Sequence, residues 1–174
     1  MIRALTFCLI ACIAVVLPAN ESTRSESTGR EVLSRQVGSW DVRFDADDPF
    51  SAGTLNGQWV LGGAYLEQTG EFTARFVPSD VTIKTLTKYD EGDQQFKRWS
   101  FLSNGRELLS IGTWEPGTNT MTWVTEKYEP LSKRTVVVTS TEEFRADGTV
   151  IVSKVSKNAD GEIGRSSELR TPRK

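Results

Sequence analysis

Gly38-Ser39-Trp40-Asp41-Val42-Arg43-Phe44 is the stretch that decides the fold. Trp40, Val42 and Phe44 alternate with Asp41, Arg43 and Asp45, a period of two that puts large apolar side chains on one face of a strand and charges on the other. Upstream, Val32, Leu33 and Val37 form a weak helical stripe that Gly38 stops, so a short helix is predicted over 30–37, closing one end of the fold. Downstream, strand-like runs recur at 55–61, 65–72, 81–89, 96–102, 108–114, 121–127, 134–144, 149–157 and 163–170.

Explicit turn signals separate many of these runs: Pro78-Ser79-Asp80, Glu91-Gly92-Asp93, Asn104-Gly105, Pro116-Gly117, Asp147-Gly148 and Asp160-Gly161. Gly62-Gly63 marks a sharp bend or corner. No helical segment intervenes that could carry a parallel crossover, so neighbouring strands are antiparallel. A flat sheet of so many short strands would expose two edges, and closure removes them. The expectation is an all-β, antiparallel up-and-down barrel of about 8–10 strands with a short N-terminal helix.

The chain has 174 residues, enough for one domain with a real core. Arg3, the apolar run 4–17 and Pro18-Ala19-Asn20 follow the order of a secretory signal peptide, with cleavage expected after Ala19. At about fourteen residues the run falls short of the ~20 that a membrane-spanning helix needs. Cys8 and Cys12 both lie inside it. Leu9-Ile10-Ala11-Cys12 fits a lipobox formally, but Ile13 to Leu17 continue the apolar run, which favours a signal peptide over a lipidated Cys12. The expected organisation is a signal peptide over 1–19, a polar tether over 20–29 and a single barrel domain over 30–174, exported to the periplasm or the medium.

The formal net charge is −2, with both signs mixed along the chain. Lys97-Arg98, Lys133-Arg134 and Arg170 to Lys174 are short basic clusters, solvated faces or a tail and not a phosphate track, so no nucleic-acid partner is expected.

Five segments carry a family resemblance: Gly38-Ser39-Trp40, the run 59–68 (WVLGGAYLEQ), Lys88-Tyr89-Asp90, Gly112-Thr113-Trp114 and the closing 170–174 (RTPRK). In this order and spacing, from about Glu31 to Lys174, the chain resembles the uncharacterised bacterial family called domain of unknown function 1579. The resemblance implies a calycin-type, often exported barrel, and brings no catalytic residues with it. In lipocalin-like barrels the Trp of such a G-x-W plugs the closed end and meets a basic side chain from the last strand. Trp40 and Arg170 are the corresponding structural pair here.

The chain contains no His, so a Ser-His-Asp triad, His-ligated zinc and His-ligated haem are absent, and no metal or cofactor is expected. Glu67, Asp90, Glu115, Glu126, Glu142, Glu143 and Glu168 leave carboxylate chemistry formally open, though spacing selects no pair. Glu67 stands out, because an inward carboxylate between Leu66 and Gln68 would need a partner. Trp59, Tyr65, Glu67, Tyr89, Trp99, Phe101, Trp114 and Trp123 are the candidate ligand-lining residues, accompanied by Thr85, Thr87, Thr113, Thr125 and Thr139 on the same strands. The function that follows is binding of a small apolar or amphipathic molecule. The alternatives are an envelope interaction or scaffold module with a filled interior, and, behind both, a carboxylate-based hydrolase or isomerase.

Overall fold

The computed structural model describes residues 29–75, 80–129 and 133–174. The expected signal peptide, both cysteines, nearly all of the tether and the Pro78-Ser79 part of one turn lie outside the described residues.

A helix, α1 (29–34), opens the described chain. Gly29 belongs to this helix and not to a tether: a methyl there would stand 2.5 Å from the Tyr89 ring, so the absence of a side chain lets α1 settle on the barrel. Val32 and Leu33 are buried, as is Gln36 just beyond the helix.

Ten strands follow: β1 (Gly38–Phe44), β2 (Phe50–Val60), β3 (Tyr65–Ala74), β4 (Val81–Asp90), β5 (Gln95–Leu102), β6 (Glu107–Glu115), β7 (Thr120–Glu129), β8 (Arg134–Phe144), β9 (Val150–Asn158) and β10 (Gly161–Pro172). Each pairs antiparallel with its neighbours in sequence, and β1 pairs with β10 to close the barrel, Trp40 opposite Pro172 and Val42 opposite Arg170. Closure removes the exposed edges that so many short strands would otherwise leave.

The Gly62-Gly63 corner is a single 3-10 turn, Leu61–Gly63, with Gly62 at φ 69° and Gly63 at φ 87°. Two turns depart from the sequence reading. In Glu91-Gly92-Asp93 and Pro116-Gly117 the left-handed position is taken by the following Gln94 (φ 52°) and Asn119 (φ 51°). Asn adopts that conformation more readily than most residues, and the Asn119 side chain here accepts a hydrogen bond from Arg35 Nη1 at 3.1 Å.

Alternation divides the strands into an inner and an outer face, interrupted by register shifts at Phe50/Ala52 in β2 and Glu162/Gly164 in β10. Trp40 and Val42 of β1, Leu55 of β2, Leu66 and Gln68 of β3, Thr85 and Thr87 of β4, Phe96 and Ser100 of β5, Met121 and Trp123 of β7, Glu142 and Phe144 of β8, and Val150 and Val152 of β9 are buried inside.

Candidate functional site

The barrel interior has two unlike halves. Around α1 it is filled: Trp40, Leu66, Phe96, Met121 and Phe144 form a continuous core with Val32 and Leu33, and Trp59, Tyr89 and Trp114 pack against it. Tyr89 meets Phe96 at 4.9 Å between ring centroids, and Trp114 meets Phe144 at 5.7 Å, edge to face. Two arginines from the α1 segment cover these rings, Arg30 over Trp59 at 4.3 Å and Arg35 over Trp114 at 5.1 Å. The backbone of Gln36 lies against Gly57, where any Cβ would collide with its carbonyl oxygen at 2.1 Å.

Beyond this plug lies a buried ionic layer. Glu142, 1% exposed, accepts hydrogen bonds from Arg98 Nη1 at 2.9 Å and Gln36 Nε2 at 3.3 Å. The same carboxylate pairs with Arg170 Nη2 at 3.5 Å. Arg98 Nη2 donates to Gln36 Oε1, so one residue beside α1 touches both partners. Arg170 binds Glu168 through Nε at 2.7 Å, and Lys154 binds the other oxygen of Glu168 at 2.6 Å and stands 3.9 Å from Asp48.

Burial pushes the Glu142 carboxyl up, but the guanidiniums of Arg98 and Arg170 outweigh burial and hold it below the usual carboxylate range. Burial acts on Glu168 in the same way, and Arg170 and Lys154 bring it down to about 2. Burial presses Arg170 to lose its proton, and Glu168 with Glu142 more than offsets it. The Arg98 guanidinium also lies over Trp123, 3.9 Å from the ring centroid, while the Trp123 N–H faces Glu142 without forming a hydrogen bond of ordinary geometry.

Above the ionic layer, toward the end away from α1, is a cavity of about 260 Å³. Its base is Arg98, Arg170, Glu168 and Trp123. Its wall carries the hydroxyls of Thr85, Ser100, Ser110, Thr125 and Ser140, of which Ser110 and Thr125 bond each other at 2.7 Å. Its far end is mostly apolar: Phe44, Phe50 and Phe72 stack mutually with centroids 5.5–5.7 Å apart, and Val81, Ile83, Leu102 and Leu108 complete it, with the Lys154 ammonium 5.3 Å over the Phe44 ring. The cavity thus runs from a charged, hydroxylated base to a mainly aromatic rim.

Comparison with protein families matches residues 25–171 to the family described as "Protein of unknown function (DUF1579)". The chain belongs to this family. No curated protein matches it.

In this DUF1579 barrel the residues predicted to line a cavity fall into three groups. Trp123 lines it. Trp59, Tyr89 and Trp114 point inward but belong to the plug against α1. Tyr65, Glu67, Trp99 and Phe101 are on the outer face, because each alternates with an inward neighbour: Leu66 and Gln68 on β3, Arg98 and Ser100 on β5. Tyr65 and Trp99 pack on each other outside at 6.4 Å. Glu67 finds its partner there in Lys84, at 2.9 Å, and Lys84 with Gln58 draws its carboxyl down.

Trp40 is buried in the core at the α1 end. Among the described residues the cations that lie over aromatic rings are Arg30, Arg35, Arg98 and Lys154, and Arg170 over Trp40 is not one of these pairs. Arg170 lies opposite Val42, one inward position deeper, and is occupied by Glu168 and Glu142, so the guanidinium on an indole in the interior is that of Arg98 on Trp123.

Sequence reasoning missed Arg98, Lys154, Gln36 and the three phenylalanines of the far end. It did single out Thr85 and Thr125, which reach the cavity, and Glu142 and Glu168, which converge on Arg170. Both carboxylates are held as anions, so neither is a proton donor near neutral pH. Among the described residues no group of three or more Asp, Glu, His or Cys side chains could hold a metal, and no helix is long and apolar enough to cross a membrane.

Proposed function

We propose that this protein is an exported binding barrel that holds one small amphipathic molecule, its apolar part among Phe44, Phe50 and Phe72 and its polar part over Arg98 and the wall hydroxyls. The observation that carries this reading is the cavity itself: about 260 Å³ between a filled, helix-plugged half and an aromatic rim. A barrel kept only for its outer surface gains nothing from burying an ionic layer beside unfilled space, since buried charge costs stability unless it is well paired. The volume is just under the ~300 Å³ at which ordinary ligand pockets begin, which suits a compact guest. Export is supported by Arg3, the apolar run 4–17 and Pro18-Ala19.

Native mass spectrometry of protein taken directly from the exporting cell, beside a thermal-shift screen of small lipids, quinones and aromatic acids, tests the reading. Binding to the folded state raises the melting temperature with ligand concentration. A protein that carries no guest and is stabilised by none of these compounds refutes it.

One observation favours the interaction module as a second reading. Trp99 and Tyr65 form an outward aromatic pair, with Phe101, Leu109 and Val124 exposed on the same side of the barrel. Apolar surface of this kind is where a partner would be sought.

A further inference from the structure

Four buried polar side-chain atoms on one stretch of the inner wall have no hydrogen-bond partner among the described residues: Gln68 Nε2, Thr85 Oγ1, Thr87 Oγ1 and Arg98 Nε. They are contiguous. Gln68 is the register partner of Thr85 across β3 and β4, Thr87 is that of Arg98 across β4 and β5, and Thr85 and Thr87 are successive inward residues of one strand. Facing cross-strand residues have Cβ atoms about 5 Å apart, so the four groups form a single patch. Gln68, Thr85 and Thr87 are 3%, 6% and 0% exposed, and Thr85 and Arg98 line the cavity. On the other side of the cavity Ser110 and Thr125 satisfy each other. Four adjacent unpartnered atoms stand on this wall; the other two among the described residues are the indole N–H groups of Trp40 and Trp123, both donors as well.

The chemistry of the patch sets what would complete it. Gln68 Nε2 and Arg98 Nε can only donate, and the two hydroxyls can donate or accept, so an acceptor is the one kind of group that complements every member. Its charge is set by the ion pairs that surround the cavity, where Arg98, Arg170 and Lys154 stand against Glu142, Glu168 and Asp48. That set is already neutral. A buried carboxylate or ammonium from a guest would be left without a counter-charge, which is far costlier than burying a neutral dipole.

We infer that the cavity selects guests with an uncharged carbonyl-type acceptor, a ketone, quinone, ester or lactone oxygen, seated on Thr85 and Arg98, the two members of the patch that line the cavity. This rests on the binding reading above and specifies the head of the guest, which that reading leaves open. Fatty acids and amines of similar length are poor guests on this account, although they share the apolar tail.

Four probes of matched length separate the heads: 2-nonanone, nonane, octanoate and octylamine, titrated into the folded protein at neutral pH and followed by calorimetry and melting temperature. The ketone is expected to bind at least about tenfold more tightly than each of the others, the order of one charge-assisted hydrogen bond. Thr85→Val should weaken the ketone by about threefold to tenfold, leave nonane unchanged and not lower the melting temperature, because it removes a hydroxyl that lacks a partner. Thr85→Ala, which removes the same hydroxyl with less bulk, repeats the test should Thr85→Val fold poorly. Octanoate or octylamine as the tightest guest, four affinities within about twofold of one another, or a ketone affinity that neither variant changes, would overturn the head-group inference while leaving a binding barrel in place. So would a crystal structure with the ketone bound elsewhere and ordered water on the patch. If none of the four binds, the binding reading falls and this inference with it.

Discussion

The guanidinium of Arg98 lies 3.9 Å from the centroid of the Trp123 ring while its two terminal nitrogens hold Glu142 and Gln36. One side chain thus joins β5, β7, β8 and the segment after α1. Replacing it by Met keeps much of the packing but strands Glu142 with fewer counter-charges, which should cost about 3–5 kcal/mol. The double change Arg98→Met with Glu142→Leu should cost clearly less than the sum of the two single changes. Urea unfolding at neutral pH measures all three variants, and additive losses would show that the pair is not coupled.

Acid should weaken the fold through the same layer. The carboxyl of Glu168 falls from an ordinary 4.5 to about 2 in the folded protein, and that of Glu142 is lowered as well. A depressed carboxyl contributes stability that is fully present above its unfolded value and is lost as pH falls through the folded one. The loss should therefore appear between about pH 5 and pH 2 and be on the order of 3 kcal/mol for Glu168. Urea midpoints across that range would follow it. Glu168→Gln should flatten the curve, and an unchanged slope in this variant would contradict the assignment.

Gly112 is the bed on which Trp123 rests. A Cβ there would meet the indole ring at 2.5 Å, so Gly112→Ala should destabilise by about 1–3 kcal/mol through overpacking. Combining it with Trp123→Leu should make the alanine nearly neutral, since the ring it strikes is gone. A Gly112→Ala variant as stable as the parent would show that the ring can shift freely.

Tryptophan fluorescence separates the inner from the outer aromatic residues. Trp123 lines the cavity and Trp99 lies outside, so Trp123→Phe should abolish most of any ligand-induced change in emission, whereas Trp99→Ser should leave it intact. The outer variant should also cost no more than about 1 kcal/mol in stability. A ligand response that disappears with Trp99 would move the site to the outer face.

Export has a direct readout. Sequencing the N-terminus of the secreted protein should begin at Asn20, after Ala19. A diacylglycerol group on Cys12 would reverse the choice between signal peptide and lipoprotein.

Much of the barrel was legible because its signals are local. Period-two alternation, turn glycines and the lack of a crossover helix each act within a few residues, and together they dictate antiparallel closure. The lining was harder to read, for a reason visible in β5. Gln95–Leu102 carries Phe96 on one face and Trp99 with Phe101 on the other, so bulk does not say which face is inside. A one-residue choice there turns every side chain over. Counting aromatic residues favours Trp99 and Phe101, yet Arg98 and Ser100 are the inward pair, because Arg98 has Glu142 to meet. That partner lies 44 residues away on β8, and no pattern within either strand announces it. Gly112 opposite Trp123 was the one local cue: a glycine in register with a tryptophan leaves room for the ring to lie inward.

The plug places both ends of the described chain on one side of the molecule. α1 covers the end where β1 starts, and Pro172 pairs with Trp40 beside it. A resin, sensor surface or fused protein joined just before residue 29 or after residue 174 would then hold the barrel by its base, with the aromatic rim of Phe44, Phe50 and Phe72 turned away from the support. Immobilised formats should report the same guest affinity as free solution, whichever terminus is used.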